Sequence, residues 1–415
     1  MHYRDQNHMA HEAAQTVANT AMTLNPVELV TPVNVDDEKE LWIAAAKDGE
    51  FLNPQFKYNR EKLTQAVAHG NQLRAAAEIL FYTCRPHTDI DHAILEILHH
   101  RVDDALCTAN MAASILLGSN AGGSYAQHIY GKPDKLQVMD CLQAVQRIDE
   151  LVGELPVKFT PDQRAKLKEH EYSASEIQQD FLHVVNLYGF KSWSVVVSDQ
   201  ATAIDVRNKT SCGRPQVVIP TARKVDGLKL AELIGHELEC HLRDSANAEA
   251  LFAEYLGPTP LAPLVSLLAK SDNELLYEGH AKLSDVAING GAALPKPFYT
   301  IAIDAALRGY SFAEIGEYIF ELRYERGEDQ TSAIKGAWTA AYRAMRGSFD
   351  TLGGYAFTKD YAYWTGYQLA SEVQQFAPHY LDYASLTYEE IKLLDDAGFD
   401  LKHPRYPAMD LATNP

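Results

Sequence analysis

The sequence predicts an α+β protein, mostly α-helical, with a small antiparallel sheet next to a helix that carries His236, Glu237 and His241. Three observations predict it. Apolar residues recur every three or four positions over long stretches on both sides of residue 190, the period of an amphipathic helix. Between residues 191 and 220 the pattern changes to short β-branched runs bounded by turn residues, which read as strands. The helix with the two histidines follows that run directly.

Composition bounds what such a chain does. Its 415 residues can bury one large core or two, and 46% hydrophobic with 22% charged residues is an ordinary globular balance. No run of about 18 apolar residues exists, so no transmembrane helix is expected. The polar N-terminus lacks the apolar core of a signal peptide, and a cytoplasmic location is the expectation. A net charge of −19 argues against nucleic acid and anionic membranes as partners, since both need a basic surface. Cys84, Cys107, Cys141, Cys212 and Cys240 are odd in number and widely spaced, with no C-x-x-C pair. They read as reduced thiols rather than a disulfide framework.

Taken in order, residues 1–35 mix small, polar and proline positions and read as a flexible or loosely docked arm. Residues 36–190 form an N-terminal helical region, opened by acids in the first turn after Asp36 as the helix dipole favours. Within it His87, Asp89, Asp91 and His92 are ligand-type residues, but they sit at a helix start, where Asp is expected as a cap. The glycine-rich stretch 118–133 reads as an interhelical loop, with a loop over a substrate site as the functional alternative. Strands follow at 191–199, 203–207 and 216–220, and their short connections favour antiparallel pairing. Residues 191–415 are expected to form the catalytic core, and 36–415 one compact unit. Helices follow at about 261–268, from 271, at 298–309, 311–326 and 330–346, and after 360.

The motif His236-Glu237-x-x-x-His241 has the residue types that zinc hydrolases use: two imidazoles for the ion and a carboxylate beside the water. Its spacing is unusual. At 3.6 residues per turn, a residue five positions on points roughly 140° away, whereas Cys240 lies beneath His236. Both histidines face one ion only if the helix widens into a π-type turn, a feature found mostly at functional sites. Glu278, flanked by Tyr277 and Gly279, is the best candidate for a third ligand, and two histidines plus one Glu leave a position for water. A small sheet feeding such a helix is also the layout of zincin peptidases, an analogy of architecture only. Further on, Arg343, Arg346 and Lys359 are cations around a glycine-containing loop, readable as helix-end charges or as an anion site.

Together, His236-Glu237-x-x-x-His241, Tyr277-Glu278-Gly-His-Ala281, Arg343-x-x-Arg346-Gly347, Gly353-Gly-Tyr-Ala-Phe-Thr-Lys-Asp360 and Tyr363 resemble the tyrosine/phenylalanine carboxypeptidase family. Its bacterial members are named for a Gln-Glu-Gly-Leu-Ala motif, and its animal members include the microtubule-associated tyrosine carboxypeptidases. Weaker likeness extends to Phe51-Leu-Asn-Pro54 and Ser124-Tyr-x-x-x-Ile-Tyr-Gly131. The resemblance implies one Zn²⁺ held by His236, His241 and Glu278, with Glu237 as base and a peptide or protein C-terminus as substrate. Lys359 with Arg343 or Arg346 would then meet the terminal carboxylate, Tyr125, Tyr130, Tyr355 and Phe357 are available as a pocket for the aromatic side chain, and Tyr363 is a further substrate-binding candidate. It also favours His241 over Cys240, and with it the π-type turn. Tyr277 and His280 depart from the motif's Gln and Leu. A zinc endopeptidase, or a non-catalytic helical binding protein with a structural or lost zinc site, are the rival readings.

Overall fold

The computed structural model describes residues 3–154, 157–191, 193–201, 203–207, 215–270 and 275–409. Cys212 and residues 271–274, the expected start of the helix from 271, lie outside the described residues. Helices dominate and the strands are few and short, so the mostly helical α+β class holds. No helix among the described residues is long and apolar enough to cross a membrane. The chain divides into two compact units, each assembled from three separate stretches.

The first unit takes Met1–Pro86, Glu96–Ile148 and Lys296–Thr365. The expected arm over residues 1–35 is instead largely helical. Tyr3–Ala21 buries Ala10, Ala13, Ala14, Val17, Ala18 and Ala21 and packs on the helix Arg60–Thr83. That stripe keeps the three-and-four spacing of a buried helical face, but alanine is a weak apolar signal and hid it. The unit's aromatic core joins Trp42, Phe56, Phe312 and Trp338 in edge and tilted contacts, with centroids 5.0–6.4 Å apart. Gly316 lets the helix Phe312–Glu325 approach Trp42, whose ring a Cβ there would strike. The Phe51-Leu-Asn-Pro turn is part of this core's frame. Trp42 Nε1 donates to the Leu52 carbonyl at 3.1 Å, and Asn53 Oδ1 accepts from the Ala313 amide at 2.9 Å.

The second unit takes His87–Leu95, Asp149–Pro295 and Gly366–Pro415. It holds the five strands found among the described residues: β1 (Glu171–Ser173), β2 (Ser194–Ser198), β3 (Asp205–Arg207), β4 (Gln216–Pro220) and β5 (Lys224–Asp226). β1 and β5 form an antiparallel ribbon, and the other three are ordered β2-β4-β3. The expectation of antiparallel pairing holds for β3 with β4 but not for β2 with β4, which run parallel with Val195 opposite Val217. The physical reason is insertion: β2 and β3 run in opposite directions and β4 enters between them, so it must run along one and against the other. As central strand, β4 buries Val217, Val218 and Ile219 in succession, the continuous apolar run of a strand covered on both faces.

The helix Ala174–Leu187 starts from a Ser173/Glu176 capping box and lays Ile177, Phe181 and Val184 into the sheet's core. Leu238 and Leu242 of the motif stretch enter the same core. That contact fixes which side of the motif helix remains for chemistry. At the other end of the unit, Asp91 Oδ2 accepts from the amides of His87 and Thr88, both at 2.9 Å, and its Oδ1 accepts from Tyr255 Oη at 2.8 Å. The capping reading of that cluster therefore stands.

Candidate active site

The site begins with a change of helical register. Asp226 caps the helix Gly227–Leu233 by accepting from the Lys229 amide at 2.8 Å. From Ile234 to Leu242 the helix is π, and it returns to α over Arg243–Leu256. In a π-helix the hydrogen bonds run between residues five apart, so such residues stack. His236 and His241 are five apart, and their rings lie with centroids 4.7 Å apart and planes at 86°. The widened turn that the spacing requires is thus present, across nine residues rather than as a single bulge.

One ligand atom from each of His236, Glu237 and His241 lies within 4.8 Å of the others. His236 Nε2 is 4.0 Å from Glu278 Oε2, on the helix Leu275–Asn289. Cys240 is turned out of this group and points its Sγ at the His280 carbonyl oxygen, 3.7 Å away. His236 and Glu237 keep partial exposure while His241 is buried, so the cluster opens to solvent on one side.

Two glycines seat the Glu278 helix, Gly235 against the motif helix and Gly279 against the helix Ala362–Phe376. A Cβ at Gly235 would strike Ser284 Oγ, and one at Gly279 would strike the Gly366 carbonyl. The glycine of the Glu-Gly pair is therefore a packing requirement of the helix that presents Glu278. Gly279→Ala is expected to destabilise the fold by about 1–3 kcal/mol, read as a fall in the urea midpoint. An unchanged midpoint would show that the crossing tolerates a methyl group.

The residue that sequence reasoning missed is Asp285, two turns beyond Glu278 on the same helix, a spacing that was available as a signal. Asp285 Oδ2 lies 3.0 Å from His236 Nδ1 and accepts from Lys282 Nζ at 2.6 Å. A carboxylate on Nδ1 fixes the ring and leaves Nε2 for a metal. Burial by itself would lower the His236 pKa, but Asp285, Glu237 and Glu278 together push it up to about 10. The negative potential that would protonate this imidazole equally favours a divalent cation among the same groups. Burial pushes the Glu237 carboxyl up to about 7, with His236 opposing and Glu278 adding to the rise. Donor types, a free face and an oriented ring together fit a single zinc ion.

The expected substrate-binding residues all belong to the other unit. Arg343 and Arg346 both donate to Asp360, at 2.7 and 2.9 Å, rather than standing as separate cations. Arg343 also stacks over Tyr299 and Tyr363, at 4.9 and 5.8 Å, and Arg346 over Phe357 at 4.8 Å. Lys359 opens the short turn Lys359–Tyr361 and is half-buried, as is Tyr363. Tyr130 and Tyr355 are each 2% exposed, which makes them core residues in this structure rather than walls of an open pocket. The stretch 118–133 contains the helix Gly122–Tyr130, and a Cβ on Gly123 would press on the Tyr355 and Ala356 backbone. Gly122 and Gly123 therefore serve packing against Tyr355, in place of a loop over substrate.

The class defined by fold and site is a mostly helical α+β protein that presents a His/Glu cluster on a widened helical turn beside a small sheet. The chain belongs to the microtubule-associated tyrosine carboxypeptidase family, whose model matches residues 46–256 and 299–384. No curated protein matches the chain. The matched segments contain His236, Glu237, His241, Arg343, Arg346 and Lys359. Glu278 falls between them, so its assignment stands on its 4.0 Å approach to His236.

Proposed function

We propose that this chain is a zinc-dependent carboxypeptidase that removes a C-terminal tyrosine or phenylalanine from a cytoplasmic peptide or protein. The observation that carries the proposal is the π-helical register, which gathers His236, Glu237 and His241 in a way no ordinary helix with this spacing would. His236 Nε2, a ring nitrogen of His241 and the Glu278 carboxylate would hold the ion. When bound, zinc supplies Lewis-acid polarisation of the scissile carbonyl and acidifies water. Asp285 keeps the His236 ring in its orientation. Glu237 takes the proton of the attacking water and delivers it to the leaving amine. Lys359 and the exposed part of Arg343 are the cations assigned to the substrate's free carboxylate, Lys as a point charge and Arg as a planar fork.

The test is mass spectrometry on peptide pairs that differ only in a free or amidated C-terminus. Loss of one terminal Tyr or Phe from the free peptide alone is expected. Cleavage of both, or products cut at internal bonds, would point to an endopeptidase. A chelator is expected to stop the reaction and zinc to restore it. Asp285→Asn is expected to weaken zinc binding by about 10–100-fold, measured by competition with a chromogenic chelator. Undiminished affinity would mean that the His236 ring needs no such anchor.

A further inference from the structure

The π register itself needs an explanation, because the sequence offers a competing ligand. A return to α geometry would carry His241 roughly 140° from His236 and bring Cys240 beneath it. Zinc accepts thiolate readily, so the two registers present two different ligand sets. Something must hold the wider turn.

The helix Leu275–Asn289 touches both sides of it. On the histidine side, the Tyr277 ring lies over the His241 ring with centroids 3.9 Å apart and planes at 32°. Tyr277 Oη donates to the His241 carbonyl at 3.3 Å and lies 3.3 Å from Ser245 Oγ, so it also reaches one turn further along. On the cysteine side, Cys240 Sγ donates to the carbonyl of His280, one turn along the same helix from Tyr277. His280 Nδ1 in turn bonds Asp244 Oδ2 at 2.7 Å, beyond the end of the π segment. Tyr277 and His280 are the two positions where this chain departs from the Gln and Leu of the motif it otherwise resembles.

We propose that Tyr277 is a positioning residue that locks the π register and so selects His241 over Cys240 as ligand. The selection matters chemically. A thiolate donates more charge to the ion than an imidazole does, and so leaves it a weaker Lewis acid for a carbonyl. The inference presupposes the zinc assignment above, and the test separates the two.

Metal-free full-length protein is titrated with cobalt(II), which reports its ligands in the absorption spectrum, and affinity is read by chelator competition. Wild type is expected to bind cobalt without a sulfur-to-cobalt charge-transfer band. Tyr277→Leu keeps an apolar side chain but removes the stack and the hydroxyl. It is expected to bind about 10-fold or more weakly and to gain that band, which a second change, Cys240→Ser, removes. Wild-type affinity and spectrum in a folded Tyr277→Leu protein would overturn the proposal. If Tyr277→Leu does not fold, Tyr277→Phe decides: loss of the bond to the His241 carbonyl is expected to cost about fivefold in cobalt affinity, and no loss overturns it. Failure of wild type to bind cobalt or zinc at all would instead refute the metal assignment.

Discussion

Replacing Glu237 by glutamine is expected to cut peptide hydrolysis by about 10²–10⁴-fold, the usual contribution of a positioned general base. The amide keeps the size of the carboxyl but cannot accept the water's proton. Burial and the neighbouring Glu278 push the Glu237 carboxyl up to about 7, with His236 opposing. Zinc content should be retained, because the proposed ligands are His236, His241 and Glu278. Peptide binding should likewise change little, so the loss should fall on kcat rather than KM. Single-turnover kinetics and metal analysis on the same preparation check this. A variant with near wild-type turnover would remove Glu237 from the mechanism. A variant that loses its zinc would make Glu237 a ligand, a role its place in the 4.8 Å cluster makes worth testing.

The chemistry of this site was legible in the sequence through a contradiction. The spacing of His236 and His241 is incompatible with an ordinary helix, and the π segment Ile234–Leu242 is the conformation that resolves it. Residue type and order also pointed to Glu278, whose carboxylate lies 4.0 Å from His236 Nε2. What was not legible came from packing. The two-turn spacing of Asp285 from Glu278 puts both on one helix face, but its partner is visible only once the close approach of that helix at Gly235 sets it on His236 Nδ1. Tyr130 and Tyr355 have the chemistry of a substrate pocket, yet small neighbours such as Gly122 and Gly123 let Tyr355 sink into the core. Burial of an aromatic depends on residues distant in sequence, which composition does not reveal. The alanine face of Tyr3–Ala21 escaped for a related reason. Its side chains are too small to mark a helix by hydrophobicity, though the small size is what lets two helices pack closely. The parallel pairing of β2 with β4 was lost because local connection length bears on the neighbour of a strand in sequence, not on the later entry of another strand between them.

Replacing Asp360 by alanine is expected to destabilise the protein by about 3–5 kcal/mol, the cost of leaving buried charge without its partner. Asp360 is 1% exposed and accepts from two guanidinium groups at once. Arg346 is buried as well, and its Nε already lacks a hydrogen-bond partner among the described residues. Without Asp360 both cations would lose their carboxylate; Arg343 would keep the faces of Tyr299 and Tyr363 and a hydrogen bond to Tyr363, and Arg346 the face of Phe357. Such cation–π contacts supply about 0.5–2 kcal/mol each and cannot replace the pair. Asparagine at the same position keeps one acceptor oxygen and should cost less than alanine. Urea unfolding of both variants checks the order, and an unchanged midpoint for Asp360→Ala would show that water replaces the carboxylate. The geometry also divides the three cations that the sequence placed together. Arg343 and Arg346 grip the residue next to Lys359, and so hold in place the short turn Lys359–Tyr361. On the assignment of Lys359 proposed above, loss of Asp360 is expected to raise KM for peptides with a free C-terminus even at temperatures where the variant remains folded.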